Sequence, residues 1–234
     1  AGGTVIIQDE VRRLDPDDLW RTIERERVAS MIIVGDAFAR PLIDQLRRGS
    51  YRLDSFRLLV SGGAPLNLAM KRELHELLPG VTLLDAVGSS ETGRQGQVAS
   101  TSAKEAVSGT FHPTPDNCVV SGDRTRILEA GSDEIGWLAK GGRVPLGYLG
   151  DRAKTEQTFP EVEGRRFSLP GDRARLRADG TLELLGRDSV TINTGGEKVF
   201  AEEVEHAIKH HPAVWDAVDR KSTRLNSSHI TISY

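Results

Sequence analysis

The chain has 234 residues, 38% hydrophobic and 28% charged, which is enough to bury a core and too apolar for a disordered polyelectrolyte. Its 31 basic and 34 acidic side chains leave a net charge of -3, excluding the basic footprint of a general nucleic-acid or anionic-membrane binder. A single cysteine, Cys118, excludes a disulfide framework and a multi-thiolate metal centre and fits a reducing, cytoplasmic setting; no apolar run approaches the ~20 residues of a transmembrane segment.

The opening Ala1-Gly2-Gly3 has no basic flank and no initiating Met, and reads as a chain entered within a domain. Val5 to Ile7 is β-branched and is expected to form a strand. Asp15-Pro16-Asp17-Asp18 opens a helix, with an acceptor at the cap, proline at the first position and acids in the first turn. Met31 to Val34 reads as a buried strand, Leu42 to Arg48 as a helix and Phe56 to Val60 as a second buried strand. Ser61-Gly62-Gly63-Ala64-Pro65 turns the chain into a helix over Asn67 to Leu78, whose apolar Met70, Leu74, Leu77 and Leu78 share a side, and which stops at Pro79-Gly80. Val81 to Ala86 is a further strand, ending in Gly88-Ser89-Ser90-Glu91-Thr92-Gly93. This alternation predicts an α/β fold with a partial, mostly parallel sheet covered by helices.

After Gly96 the period shortens. Asn117 to Val120 and Arg124 to Glu129 read as strands between glycine and proline turns, and Arg173 to Arg177 with Thr181 to Leu185 flank the hairpin signal Ala178-Asp179-Gly180. This predicts a small antiparallel β subdomain. Arg173, Arg175 and Arg177 alternate along one strand face, which reads as a solvent face. Val190 to Asn193, the Gly195-Gly196 turn, a helix over Ala201 to His210 and a strand over Ala213 to Val218 read as the start of a small α+β C-terminal domain. The expected organisation is therefore 1–186 (1–96 α/β, 97–186 mainly β), a hinge at 187–189, and a second domain over 190–218. Residues 219–234 are rich in Ser and Thr without a sustained period, and are expected to be a non-native or disordered tail.

Several loops carry chemistry. Gly62, Gly63 and Ala64 follow a buried strand and let a flat ligand approach backbone, because little or no side chain stands in the way. Ser89, Ser90 and Glu91 lie at the carboxyl end of the next strand, where open α/β sheets bind ligands; hydroxyls suit phosphate oxygens and a carboxylate suits Mg2+. Asp172 sits on a Pro-Gly turn and could accept both hydroxyls of a ribose diol, or simply cap the turn. Arg187 offers a cation, beside Asp188 and Ser189 as potential hinge residues.

Taken in order, Ser-Gly-Gly-Ala-Pro at 61–65, Gly-Ser-Ser-Glu-Thr-Gly at 88–93, Gly-Tyr-Leu at 147–149, Pro-Gly-Asp at 170–172 and Gly-Arg-Asp-Ser-Val-Thr-Ile-Asn-Thr-Gly-Gly-Glu-Lys-Val at 186–199 resemble the adenylate-forming (AMP-binding) superfamily, and within it the acyl-CoA synthetases. The resemblance covers Ala1 to Val218 and is nearest to bacterial fatty-acyl or steroid-side-chain CoA ligases. It implies that Gly62, Gly63 and Ala64 border adenine, that Gly88, Ser89 and Ser90 lie by the adenylate, and that Glu91 is a Mg2+ ligand. It further implies that Asp172 binds ribose, that Arg187 contacts the nucleotide, that Gly196 admits the pantetheine arm of CoA, and that Asp188-Ser189 is the hinge. ATP, Mg2+ and CoA are the implied cofactors and co-substrates, with a small-molecule carboxylic acid as substrate. Val87 replaces a frequent aromatic, Ser189 a usual Asp or Lys, and Asn193 a frequent Lys. The family's phosphate loop and C-terminal adenylation lysine have no counterpart in these residues, so the chain reads as an internal fragment, itself inactive. The competing readings are a non-catalytic nucleotide-binding or interaction domain, and another adenylating ligase.

Overall fold

The computed structural model describes residues 2–8, 12–188, 191–193, 198–209, 211, 214, 216–221 and 228–233. Two compact units are present, one of Ala1–Gly88 with Gly96–Ser108, the other of Ser89–Gln95 with Gly109–Tyr234.

In the first unit, Asp15 accepts the Asp18 N–H at 3.1 Å and caps α1 (Pro16–Glu26), as the Asp-Pro-Asp-Asp signal predicts. β1 (Ser30–Ile33), α2 (Gly35–Arg48), β2 (Leu58–Gly62), α3 (Leu68–Leu77), β3 (Thr82–Ser89) and β4 (Gly93–Ser100) follow. β1, β2 and β3 pair in parallel, with Ile32 opposite Val60 and Val60 opposite Leu84; the order continues to β4. Trp20, Leu42, Ile43, Phe56, Leu59, Met70 and Leu74 form the core, and the Trp20 indole N–H donates to Leu42 O at 3.1 Å. Asn67 caps α3 by accepting the Met70 N–H at 2.8 Å.

Two expectations are corrected here. Val5 to Ile7 is not a strand but exposed irregular chain, because no strand in its unit pairs with it. The second helix starts at Gly35 rather than Leu42 and runs through Pro41, so the stretch tolerates the loss of one N–H donor in exchange for burying Ala39, Leu42 and Ile43.

The second unit holds β5 (Thr110–Pro113), β6 (Asn117–Val120), β7 (Gly136–Lys140), α4 (Arg152–Thr158), β8 (Glu161–Val162), β9 (Arg165–Arg166), β10 (Asp172–Leu176) and β11 (Leu182–Arg187). β5, β11, β10, β7 and β6 are neighbours in that order, all antiparallel. The β10–β11 hairpin turns at Ala178-Asp179-Gly180: Gly180 adopts φ +81° and Asp179 Oδ1 accepts the Thr181 N–H at 2.9 Å. Val120, Ala139, Val162, Phe167 and Leu169 form a core with Cys118 packed against it; burial pushes the Cys118 thiol up to about 11. Arg124 to Glu129 is not the expected strand. Asp123 takes the Thr125 N–H and hydroxyl, Arg124 turns to φ +64°, and only Ile127 bridges to Val120.

Gly136 sits where β7 meets β6. A Cβ there would lie 2.2 Å from Val120 O and 2.6 Å from Val119 Cγ1. Gly136→Ala is therefore expected to lower the unfolding free energy by about 1–3 kcal/mol, read from the urea midpoint. An unchanged midpoint would mean that β6 can retreat.

β12 (Thr191–Asn193) pairs with β13 (Lys198–Phe200), α5 (Ala201–Lys209) follows, and β14 (Asp216–Lys221) pairs with β15 (Ser228–Ser233). These are separate two-stranded sheets. Within the stretch expected to be a non-native or disordered tail, Asp219–Lys221 and Ser228–Ser233 pair as antiparallel strands.

Candidate nucleotide site

In the first unit, β2 delivers Gly62, Gly63 and Ala64 at its carboxyl end, with Gly62 opposite Ala86 of β3. Gly63 takes φ +85°, and Gly63 and Ala64 are exposed. The loop is held from behind by Asp36, a residue the sequence reading missed. The Asp36 N–H donates to Pro65 O at 3.0 Å, and its carboxylate accepts the Asn67 N–H at 2.8 Å and side-chain amide at 2.9 Å. Gly88 lies within β3.

In the second unit, Ser90-Glu91-Thr92 forms a tight turn between the end of β3 and the start of β4. Ser89 Oγ and Thr92 Oγ1 lie 3.0 Å apart, Thr92 Oγ1 accepts the Ser89 N–H at 3.1 Å, and Ser89 Oγ accepts the Glu91 N–H at 3.2 Å. The Ser89 hydroxyl therefore shapes the turn, whereas Ser90 is exposed. Glu91 projects from this turn and accepts the Tyr148 hydroxyl at 2.6 Å. That bond, helped by Ser89 and by the charge of Lys154, holds the Glu91 carboxyl below the usual glutamate range, against a smaller upward push from burial.

Asp172 begins β10 and is buried; its Oδ1 accepts Nε of Arg187, on β11, at 3.3 Å. Burial lifts the Asp172 carboxyl above the usual range and the nearby charge of Glu91 adds to the lift, while Arg187 opposes both. Glu91, Asp172 and Arg187 are thus electrostatically joined within one unit although 81 and 15 positions separate Glu91 from Asp172 and Asp172 from Arg187.

The residues that follow these two, Arg173 and Asp188, form a second, reversed pair. Arg173 Nε lies 3.3 Å from Asp188 Oδ1, and the Asp188 N–H donates to Gly171 O at 3.1 Å. The reading of Arg173 as solvent-exposed is corrected: it is 7% exposed, its guanidinium stacked 4.0 Å from the centre of the Trp137 ring. Alternation along a strand assigned it to the same face as Arg175 and Arg177, but β7 pairs alongside with Trp137 opposite Arg173, and the indole covers the guanidinium. Arg175 and Arg177 both pair with Glu183. Ser189 and Gly196 lie outside the described residues.

A divalent cation fits the donor set at Glu91, an ionised carboxylate beside hydroxyls. Among the described residues no three His, Cys, Asp or Glu side chains gather as a dedicated cage. No helix among the described residues is long and apolar enough to cross a membrane.

The family described as AMP-binding enzyme matches residues 1–141. The chain is 51% identical over 218 residues to the medium-chain acyl-CoA ligase Mig of Mycobacterium avium, covering 93% of this chain and 40% of that protein. It is 42% identical over 224 residues to a 3-oxocholest-4-en-26-oate–CoA ligase of Rhodococcus rhodochrous, with the same 93% and 40% coverage. The chain thus spans about two-fifths of the length of the curated relatives it matches. Among solved structures, it resembles O-succinylbenzoate coenzyme A synthetase (MenE) of Bacillus subtilis in complex with ATP and magnesium ion, with TM-score 0.72 and 23% identity over 94% of this chain and 44% of that one. Klebsiella oxytoca NpsA in complex with 3-hydroxyanthranilyl-AMSN gives TM-score 0.75 and 22% identity over 94% and 46%. These two likenesses establish a shared fold.

Proposed function

Because the chain belongs to the AMP-binding enzyme family, we propose that it carries the nucleoside and metal side of an acyl-CoA ligase acting on a fatty or steroid side-chain acid. In the whole enzyme, a substrate carboxylate oxygen attacks the α-phosphorus of ATP, and the bond to pyrophosphate breaks. The CoA thiol, losing its proton, then attacks the acyl carbon and AMP leaves. The carboxylic acid, ATP and CoA are the partners in this reading; the named activities of the M. avium and R. rhodochrous relatives support the acid class.

The observation that carries the reading is Asp172, a buried carboxylate oriented by Arg187 and within the field of Glu91. Asp172 accepts the ribose hydroxyls, Arg187 steers that carboxylate and faces nucleotide oxygens, and Glu91 would hold Mg2+. The metal supplies charge neutralisation at the phosphates when bound. Ser90 offers its exposed hydroxyl to phosphate; base and adenylate contacts at Gly62, Gly63, Ala64 and Gly88, and the pantetheine passage at Gly196, are assigned by the family resemblance alone. Asp188, tied to Gly171 by its backbone bond and to Arg173 of β10 by its ion pair, is the fixed side of the proposed hinge, to which Ser189 is assigned by the resemblance.

The test is equilibrium titration of the 234-residue chain with a fluorescent ATP analogue. Saturable binding is expected, weakened about 10–100-fold by Asp172→Asn, a loss of charge-assisted hydrogen bonds worth ~1.5–3 kcal/mol. Glu91→Gln is expected to flatten the Mg2+ dependence of binding. Supplied with CoA and medium-chain fatty acids, this polypeptide is expected to release no pyrophosphate. The absence of any saturable adenine-nucleotide binding would favour an interaction domain instead.

A further inference from the structure

Gly147-Tyr148-Leu149 is a motif that the assignments above leave without a task. Its tyrosine is held from several sides. The Tyr148 N–H donates to Thr155 Oγ1 at 2.9 Å, the ring centre lies 5.5 Å from that of Phe159, and Lys154 Nζ sits 4.3 Å from the ring centre. Gly147 permits this approach: at φ +153° a Cβ would lie 2.5 Å from Thr155 Cγ2. α4, capped by Asp151 through the Lys154 N–H at 2.9 Å, anchors both Lys154 and Thr155.

From this fixed position the phenol donates to Glu91 Oε1 at 2.6 Å, joining residues 57 positions apart. At the other end of the same side chain, the Glu91 N–H is fixed on Ser89 Oγ at 3.2 Å. Backbone and carboxylate are therefore both tethered, and rotation about the last bond of the Glu91 side chain is restrained. A carboxylate has about four lone-pair positions, so one hydrogen bond at Oε1 leaves capacity for a cation. An unrestrained glutamate would surrender rotamer freedom on binding metal; this one has already surrendered much of it on folding.

We propose that Tyr148 is a positioning residue that pre-orients Glu91 as the ligand of a divalent cation. The proposal rests on the reading of Glu91 given above. It assigns the hydroxyl a purpose separable from the packing of the ring, since phenylalanine would keep the contacts to Phe159, Lys154 and the Thr155 tether while losing the hydroxyl's bonds to Glu91 and to Thr158.

The experiment uses the 234-residue chain, Mn2+ as probe and ATP as nucleotide, with Mn2+ binding read by electron paramagnetic resonance. Loss of a hydrogen bond that orients a metal ligand commonly costs ~10–100-fold in metal affinity. Tyr148→Phe is expected to raise the Mn2+ concentration for half-saturation about tenfold, at the lower end of that range, while AMP affinity without metal is unchanged. Glu91→Asp, whose shorter side chain withdraws from the phenol, is expected to weaken Mn2+ binding and to make a further Tyr148→Phe change without effect. If Glu91→Gln alters nothing, the metal reading of Glu91 fails. If Glu91→Gln removes the Mn2+ site but Tyr148→Phe binds Mn2+ like the parent, the positioning proposal is overturned and the metal reading stands. If Tyr148→Phe loses metal-free AMP affinity to the same degree, Tyr148 is structural and the proposal is overturned as well.

Discussion

Lys71→Ala is expected to cost the first unit about 3–5 kcal/mol at neutral pH, and distinctly less near pH ~4. Lys71 lies on α3 among the buried Met70 and Leu74, and is itself 2% exposed. Its ammonium donates to Asp85 Oδ2 on β3 at 2.5 Å and to Val107 O at 2.6 Å. Removing the ammonium leaves a buried carboxylate and a carbonyl without their donor, the situation in which breaking an internal pair is most costly. The pH dependence follows from Asp85. Burial pushes its carboxyl above the usual aspartate range, the Asp36 charge adds slightly, and Lys71 pulls it back without cancelling the rise. In the variant that pull is gone and the folded carboxyl rises further. A group raised on folding contributes its full stability below its unfolded pKa and loses it as pH climbs through the folded value. The gap between parent and Lys71→Ala should therefore widen from acid to neutral pH in urea unfolding followed across that range. A gap independent of pH would mean that Asp85 is solvated or neutral in both proteins. The paired change Lys71→Met with Asp85→Leu should recover most of the loss, because two apolar side chains of similar volume ask for no charge partner.

That ion pair also marks where sequence reading stops. α3 was legible from Asn67 at its cap to Pro79-Gly80 beyond its end, and the β10–β11 turn from Ala178-Asp179-Gly180, because those signals act within a few residues. Lys71 reads as the polar side of α3 until its partner on β3 is known. Arg173 reads as an exposed strand residue until Trp137 is placed beneath it. The start of α2 was hidden because Pro41 ordinarily ends a helix, and nothing local reveals that burying Ala39, Leu42 and Ile43 outweighs one missing donor. At the site, residue types and order were readable for Glu91, Asp172 and Arg187, whereas the partners that tune them were not. Tyr148 belonged to a recognised motif, yet its bond to Glu91 depends on a tertiary contact that no spacing rule encodes.

The tuning of Asp172 yields the other large effect. AMP affinity, measured without divalent metal, should begin to fall at a higher pH in Arg187→Ala than in the parent, and at a lower pH in Glu91→Gln. Ribose hydroxyls donate to Asp172, so binding requires its ionised form, and each pH unit below the carboxyl's pKa costs about tenfold, or ~1.4 kcal/mol. Burial raises that pKa first and the Glu91 charge raises it further, while the Arg187 guanidinium 3.3 Å away lowers it. Arg187→Ala removes the single opposing influence, and Glu91→Gln removes one that raises it, so the two profiles must move in opposite directions. Arg187→Ala carries in addition a pH-independent loss from any phosphate contact, which shifts its whole curve without moving the point at which it bends. Asp172→Asn, having no carboxyl to titrate, should bind weakly with a profile flat through the carboxylate range. If all three variants bend where the parent does, Asp172 is not the ribose acceptor, and the pH dependence belongs to the nucleotide or to another carboxylate. If only Arg187→Ala moves, Asp172 is the acceptor but Glu91 lies too far into solvent to act on it; the coupling of the metal and ribose residues would then be lost, although each could still bind its own part of the nucleotide.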